Sequence, residues 1–359
     1  MAGTRPNLVK LAPLVAAAAA AGRVLRWVHT GQHVDPAMAR ALWRELGLPA
    51  PAAVLEHVPP GPRRAERMAA ALVPVLAALE PALVVVVGDV DSTVAGALAA
   101  RRLQLPLAHV EAGLRSGERG LPEERNRRRV DRLAGLLHAS EPSAVAHLRR
   151  EGAAAARIPL AGNVVADALA AVRRTLPARP RGVGGPLVPG GYGVVTLHRA
   201  AAVDTPARLA RTVAVLCRLA RDLPWVFPVH PRTARALGAP ARRALARAGV
   251  RQVAPLGHRD FLALLRDAAV VVTDSGGVPV EASLLGVPCV TLRARYEHRL
   301  TLTHGTNRLC GADARRLPAA VARALARPAG GARRPRPRPD AWDGRAAGRI
   351  VAHWLRAGM

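Results

Sequence analysis

The sequence predicts an α/β fold of two Rossmann-like domains facing a central cleft, and three observations carry that prediction. Short apolar runs of strand length alternate with helix-period segments along the chain, the signature of parallel sheets covered by helices. The alternation breaks once, at the Pro- and Gly-rich stretch "RTLPARPRGVGGPLVPGGYG", and then restarts. The 359 residues, 50% of them apolar, are ample for two cores. The expected division is an N-terminal domain over 1–176, a linker over 177–190, a C-terminal domain over 191–341 and a C-terminal helix over 342–359 packing back on the first domain.

In the first half the candidate strands are "RVLRWVHTG", "ALVVVVGD", "LPLAHVEAG", "LLHAS" and "RIPLAG", each ending in a polar or Gly-marked turn. In an open parallel sheet the ligand sits beyond the carboxyl ends of the strands, which selects Gln32, His33, Asp89, Glu111 and Asn163. The second half offers "GVVTLHR", "WVFPVHP", "AVVVTDSGG" and "PCVTLR", which place His198, His230, Asp274 and Ser275 at strand ends.

Two stretches carry the sharpest chemistry. In "VVVTDSGGVPVEASLLG" a buried strand runs through Ser275, Gly276 and Gly277 into a helix, where free backbone N–H groups and the helix dipole can hold a diphosphate. A tight strand-to-helix turn needs small residues for its own sake too. Glu281, near the start of that helix, can accept from vicinal ribose hydroxyls. In the first half Asp89 and Glu111 follow apolar strands, while Glu123 and Glu124 open the helix of "LPEERNRRRVD". Carboxylates gathered in a cleft raise one another's pKa, which suits removal and return of a proton. Singly, each is also an ordinary cap or surface ion pair.

Composition narrows the function classes. The formal charge of +28 invites nucleic acid, yet aromatic residues make up only 3% of the chain and the arginines are spread over most helices, so a solvated basic surface is expected. Cys217, Cys289 and Cys310 form no metal spacing or CxxC pair, which points to a reduced, cytoplasmic compartment. No apolar run reaches the length of a membrane span. Among 53 basic residues Lys10 is the single lysine, inside an opening stretch that otherwise reads like a secretory leader.

The set "GTRPNLVKLAPLV", "TGQHVD", "GDVDST", "HVEAGLRSGERGLPEERNR", "TLHR", "PVHPRT", "TDSGG", "GTNRL" and "WDGRAAGRIV" resembles the non-hydrolysing UDP-N-acetylglucosamine 2-epimerases nearly end to end. That resemblance implies a glycosyltransferase-B-type fold, interconversion of UDP-GlcNAc and UDP-ManNAc, and no need of metal or nicotinamide. It implies elimination of UDP across C1–C2 to a bound 2-acetamidoglucal and re-addition after a proton returns to the other face of C2. By the same likeness Asp89, Glu111, Glu123 and His198 are catalytic. Arg5, Lys10, His230, Ser275, Gly276, Gly277, Glu281 and Arg293 bind substrate. Gln32 and His33 belong to a regulatory motif. The opening stretch becomes the first strand-to-helix turn, not a leader. The expected partners are a UDP-sugar and a second copy of the chain, with neither nucleic acid nor membrane, and the expected role is in cell-envelope polysaccharide.

The chain departs from the family pattern at Asn7, in place of a Glu, at "VPVE" after "TDSGG", at Ala202 and at "YEHR" over 296–299, with Tyr296, His298 and Arg299. These departures leave open a related UDP-sugar such as a diacetamido uronic acid derivative, a same-fold hydrolysing epimerase or glycosyltransferase, and a non-catalytic sugar-nucleotide or nucleic-acid binder. The loop "HVPPGPRRAERM" lacks the family's glutamine, so activation by substrate is expected to be weak or absent. Only Met1 and Ala2 precede Gly3, where relatives have a strand. A frayed start with weakened activity is therefore expected, and a true start upstream.

Overall fold

The computed structural model describes residues 1–32, 36–118, 120–326 and 341–359. The chain forms two compact units, the first made of residues 1–171 with the C-terminal residues 341–359, the second of residues from Val172 onward. The Pro- and Gly-rich stretch 177–190 holds no helix or strand and belongs to the second unit, where Asp260 Oδ1 accepts from the Arg181 amide at 2.9 Å.

The first unit is built on short parallel strands: β1 (Val28–His29) beside β2 (Ala53–Val54), and β3 (Val84–Val87), β4 (Leu107–Ala112) and β5 (Leu136–Ala139) in that order. Residues 1 and 2 link the two groups. The Met1 amine donates to the Val85 carbonyl at 3.0 Å, and Ala2 bridges His29, its amide on Val28 O and its carbonyl accepting from Thr30 N. The expected frayed start is thus corrected: two residues already supply the backbone pairing that anchors the turn, and Ala2 is fully buried. "RIPLAG" is corrected too, since only Leu160 pairs, as a single bridge to Ala139. Met68, Leu72, Val86 and Leu137 fill the core, and Leu14 and Val110 pack with Ile350 and Trp354 of the C-terminal helix Ala346–Arg356.

The second unit is a six-stranded parallel sheet, β6 (Gly193–Thr196), β7 (Trp225–Pro228), β8 (Val250–Val253), β9 (Val270–Thr273), β10 (Cys289–Thr291) and β11 (Asn307–Leu309), in the order β11-β10-β9-β6-β7-β8. The chain winds to one side of β6 through β7 and β8, then to the other through β9. The β6/β9 boundary is therefore the topological switch point where an open sheet parts its loops for a ligand. Its two last residues, Thr196 and Thr273, join their hydroxyls at 2.7 Å. Val195, Trp225, Phe227 and Val272 make the core. Among the described residues no helix is long and apolar enough to cross a membrane.

The seat of the C-terminal helix carries a pH dependence. His138 of β5 lies against His353 (Nε2 to Nδ1, 3.2 Å) and edge-on to Trp354, with His109 on the neighbouring strand. Burial, then the charge of His353, push the His138 imidazole down to about 3. The folded protein keeps it neutral, whereas the unfolded chain protonates it near its ordinary value of 6.5. Its contribution is complete above about pH 6.5 and is lost as pH falls toward about 3, by at most about 1.4 kcal/mol per pH unit. Urea midpoints measured from pH 7 to 4 are expected to fall, and His138→Leu to flatten that slope; an unchanged slope would place the acid loss elsewhere.

Candidate active site

In the first unit the site residues gather at the carboxyl ends of β3 and β4. The helix Arg5–Ala20 starts there because Thr4 is extended and Pro6 fits its first turn. This brings Lys10, two turns of chain further on, against the Glu111 carboxylate, with which its ammonium forms an ion pair. The Glu111 side chain is only 3% exposed and its other oxygen, Oε1, is buried without a hydrogen-bond partner among the described residues. Gly88 lies beside both groups. Its φ of +73° suits a residue without Cβ, and a Cβ there would lie 3.4 Å from Lys10 Nζ, 3.5 Å from Asn7 Nδ2 and 3.8 Å from Glu111 Oε2.

Asn7, the departure from the family's glutamate, is buried and accepts from Thr4 Oγ1 at 2.8 Å while donating to the Val87 carbonyl at 2.9 Å. A carboxylate could not make the second bond, so the amide pins the helix start to the end of β3. Asp89 is more open, its side chain 28% exposed; Arg127 Nε lies 3.5 Å from Oδ2 and Asn126 Nδ2 holds its carbonyl at 2.9 Å. Glu123 is half-buried in the first turn of the helix Pro122–Leu133, whereas Glu124 is buried and accepts from the Ser116 amide at 2.9 Å, a structural cap. Arg5 is half-buried at the first position of its helix. Gln32 spends its carbonyl on the amide and hydroxyl of Ser92 at the start of the helix Asp91–Arg102. His33 lies outside the described residues.

In the second unit the residues converge on the switch point. Asp274, buried at the end of β9, accepts from the amides of His198 (3.0 Å) and Arg199 (2.8 Å) and lies 3.0 Å from His198 Nδ1. Burial would push this carboxyl up, but the bond and charge of His198 and the two amides outweigh it and hold it below the usual range. The pair fixes the His198 ring through Nδ1 on a side chain 35% exposed. The His230 ring lies 5.4 Å away, while its Nδ1 accepts from Arg232 N and caps the helix Pro231–Ala236.

After β9, Ser275, Gly276 and Gly277 lead into the helix Val278–Leu285, with Glu281 half-buried in its first turn. The expectation of free amides needs correction here: Ser275 Oγ accepts from Gly277 N at 3.2 Å and Val278 N at 3.4 Å, so an anion must displace or share that hydroxyl. The Gly276 carbonyl accepts from Tyr296 at 2.6 Å. Arg293 is buried, paired with Glu297 at 2.8 Å and stacked 5.3 Å from the centre of the Tyr296 ring. The variant "YEHR" segment thus supports the loop from behind. Among the described residues no group of three or more His, Cys, Asp or Glu could hold a metal ion.

The sequence reading missed the buried His109, Asp131 and Arg115, which lie behind Glu111, and the contact of Arg127 with Asp89. The signal was present. Glu124, Arg127 and Asp131 recur at helical spacing on the buried face of a helix, an unusual place for charge.

Comparison with known proteins bears on this arrangement. The family described as "UDP-N-acetylglucosamine 2-epimerase" matches residues 17–354. The chain is 34% identical over 331 residues to the UDP-N-acetylglucosamine 2-epimerase of Methanocaldococcus jannaschii, covering 89% of each chain. It is 37% identical over 322 residues to the UDP-2,3-diacetamido-2,3-dideoxy-D-glucuronate 2-epimerase of Pseudomonas aeruginosa, covering 86% of this chain and 87% of that one. The crystal structure of the M. jannaschii enzyme in complex with UDP-GlcNAc and UDP superposes with a TM-score of 0.85 at 32% identity, covering 99% of this chain and 98% of that one.

Proposed function

Because the chain belongs to the UDP-N-acetylglucosamine 2-epimerase family, we propose that it inverts C2 of UDP-N-acetylglucosamine, reversibly giving UDP-N-acetylmannosamine, and that it does so without hydrolysis. The observation that carries the reading is the buried Glu111 carboxylate, paired with Lys10 on one oxygen and, among the described residues, unpartnered on the other, beside Gly88. It supports proton transfer at a carbon whose hydrogen is only weakly acidic.

In this reading a carboxylate of the first unit removes the C2 proton as the C1–O bond breaks, and the electron pair leaves with UDP. A 2-acetamidoglucal remains bound. Protonation of C2 on the opposite face and return of the UDP oxygen to C1 complete the inversion. Asp89, Glu111 and Glu123 are the acid and base candidates. His198, oriented by Asp274, and the cations Arg5 and Lys10 stabilise charge that develops on the diphosphate only as the bond breaks. Ser275, Gly276, Gly277, Glu281, His230 and Arg293 hold or support the nucleotide, and Gln32 and His33 remain the candidates for a regulatory contact.

The likeness to the P. aeruginosa enzyme favours a second substrate, UDP-2,3-diacetamido-2,3-dideoxy-D-glucuronate, for the same chemistry. Incubation of the protein with either UDP-sugar and no added cofactor, followed by NMR, separates the readings. Formation of the C2 epimer still joined to UDP is expected. Free N-acetylmannosamine would assign a hydrolysing enzyme, and no turnover of either sugar would assign a binder.

A further inference from the structure

We propose that Asp131 and His109 are positioning residues that brace a strained bulge in β4 and so present Glu111 for its chemistry. The proposal rests on the role given to Glu111 above. Glu111 sits at φ +70°, a left-handed conformation disfavoured for any residue with a side chain. It is also the extra residue of a bulge: β4 pairs with β5 through Val110 and His138, skips Glu111, and resumes at Ala112 and Ala139. Such a conformation persists only where its surroundings over-determine it.

One carboxylate does so from both sides. Asp131 Oδ1 accepts from His109 Nδ1 at 2.6 Å and Oδ2 from the Gly113 amide at 3.1 Å, which are the residues two before and two after Glu111. Arg115 donates to Oδ2 at 2.7 Å and is itself paired with Glu151, which fixes the carboxylate in turn. His109 carries the brace across to β3, where its Nε2 meets the Gly88 carbonyl at 2.8 Å, immediately before Asp89. All of His109, Asp131 and Arg115 are buried.

The partners also set the proton count. Burial pushes the Asp131 carboxyl up, but the charges and bonds of His109 and Arg115 hold it below its ordinary value, so it is an acceptor only. A carbonyl is an acceptor as well. Both ring nitrogens of His109 therefore face acceptors. Asp131, Arg115 and the neutral His138 of β5 are the titratable groups that face it.

The test compares the full chain with Asp131→Asn, His109→Gln and His109→Leu, read by turnover of UDP-GlcNAc, KM, UDP affinity, melting temperature and the ring nitrogen shifts of His109. Asp131→Asn is expected to lower kcat about 10- to 100-fold, the scale of a misplaced reacting group, with KM and UDP affinity within about twofold. His109→Gln, which keeps an N–H for the Gly88 carbonyl, is expected to retain more kcat than His109→Leu. Ring shifts in the wild type are expected to show Nε2 carrying a hydrogen bonded to the Gly88 carbonyl. Wild-type kcat in folded Asp131→Asn, or a His109 Nε2 without a hydrogen, would overturn the brace. If Asp131→Asn does not fold, the order of the two His109 variants decides. If the wild type itself turns over no UDP-sugar, the functional reading fails and the ring shifts alone judge the brace.

Discussion

Replacing Glu111 with Gln is expected to lower turnover about 100-fold or more while leaving the fold and UDP binding intact, the range of a general acid or base removed from a proton transfer. Gln matches Glu in shape and can occupy the same bulge, so the backbone conformation at 111 has no reason to change. It cannot take a proton from carbon. Its partner Lys10 then faces an amide oxygen in place of a carboxylate, which weakens their pairing without removing it. Steady-state kinetics with the melting temperature of the variant check the prediction, and turnover within a few-fold of wild type would remove Glu111 from the reaction.

Lys10→Met is expected to cost both stability and activity. The Lys10 and Glu111 side chains are only 14% and 3% exposed, and Glu111 Oε1 already lacks a partner among the described residues, so the variant leaves a buried carboxylate with neither oxygen paired among them. Breaking a buried ion pair by removing one member costs about 3 kcal/mol or more. In a domain of roughly 150 to 250 residues that is about 6 to 12 °C in melting temperature. Lys10→Arg is expected to restore part of the stability and little of the turnover, because a planar guanidinium on a longer stem does not replace a compact ammonium beside Gly88. Equal turnover in Lys10→Arg and wild type would show that any cation serves. A chain that uses arginine at every other basic position yet keeps one lysine here makes that outcome the informative one.

The alternation of apolar runs with helical segments was enough to read the parallel sheets, because strands such as Val84–Val87 and Val270–Thr273 are buried on both faces and appear as unbroken apolar runs. The strands left unread, Ala53–Val54, Val250–Val253 and Asn307–Leu309, lie at sheet edges, are short, and include polar or exposed residues, so no apolar run marks them. The start was misread for a related reason. Two residues do not look like a strand, yet Met1 and Ala2 pair with the strands on either side because the sheet presents open backbone groups to both.

Strand ends led directly to Asp89, Glu111, His198 and Ser275, since position in an open sheet follows from the order of elements. What strand order could not supply was the partner of each group. That Glu111 faces Lys10 depends on how the first helix lies against the end of β4, and that Ser275 caps the amides expected to be free depends on one rotamer. In Pro122–Leu133 the spacing of Asp131 marks its helix face, and packing against β4 supplies its partners.

The central claim is that a C2 proton leaves and returns with solvent exchange at this site. UDP-GlcNAc, or the diacetamido uronate if that is the substrate turned over, should be incubated with the wild-type protein in D2O and the C2 hydrogen followed by NMR. Elimination and re-addition predict deuterium at C2 in the epimer formed and, as equilibrium is approached, in the recovered starting sugar, with Glu111→Gln slowing both about 100-fold. Epimer formed with its original hydrogen still at C2 would contradict the account.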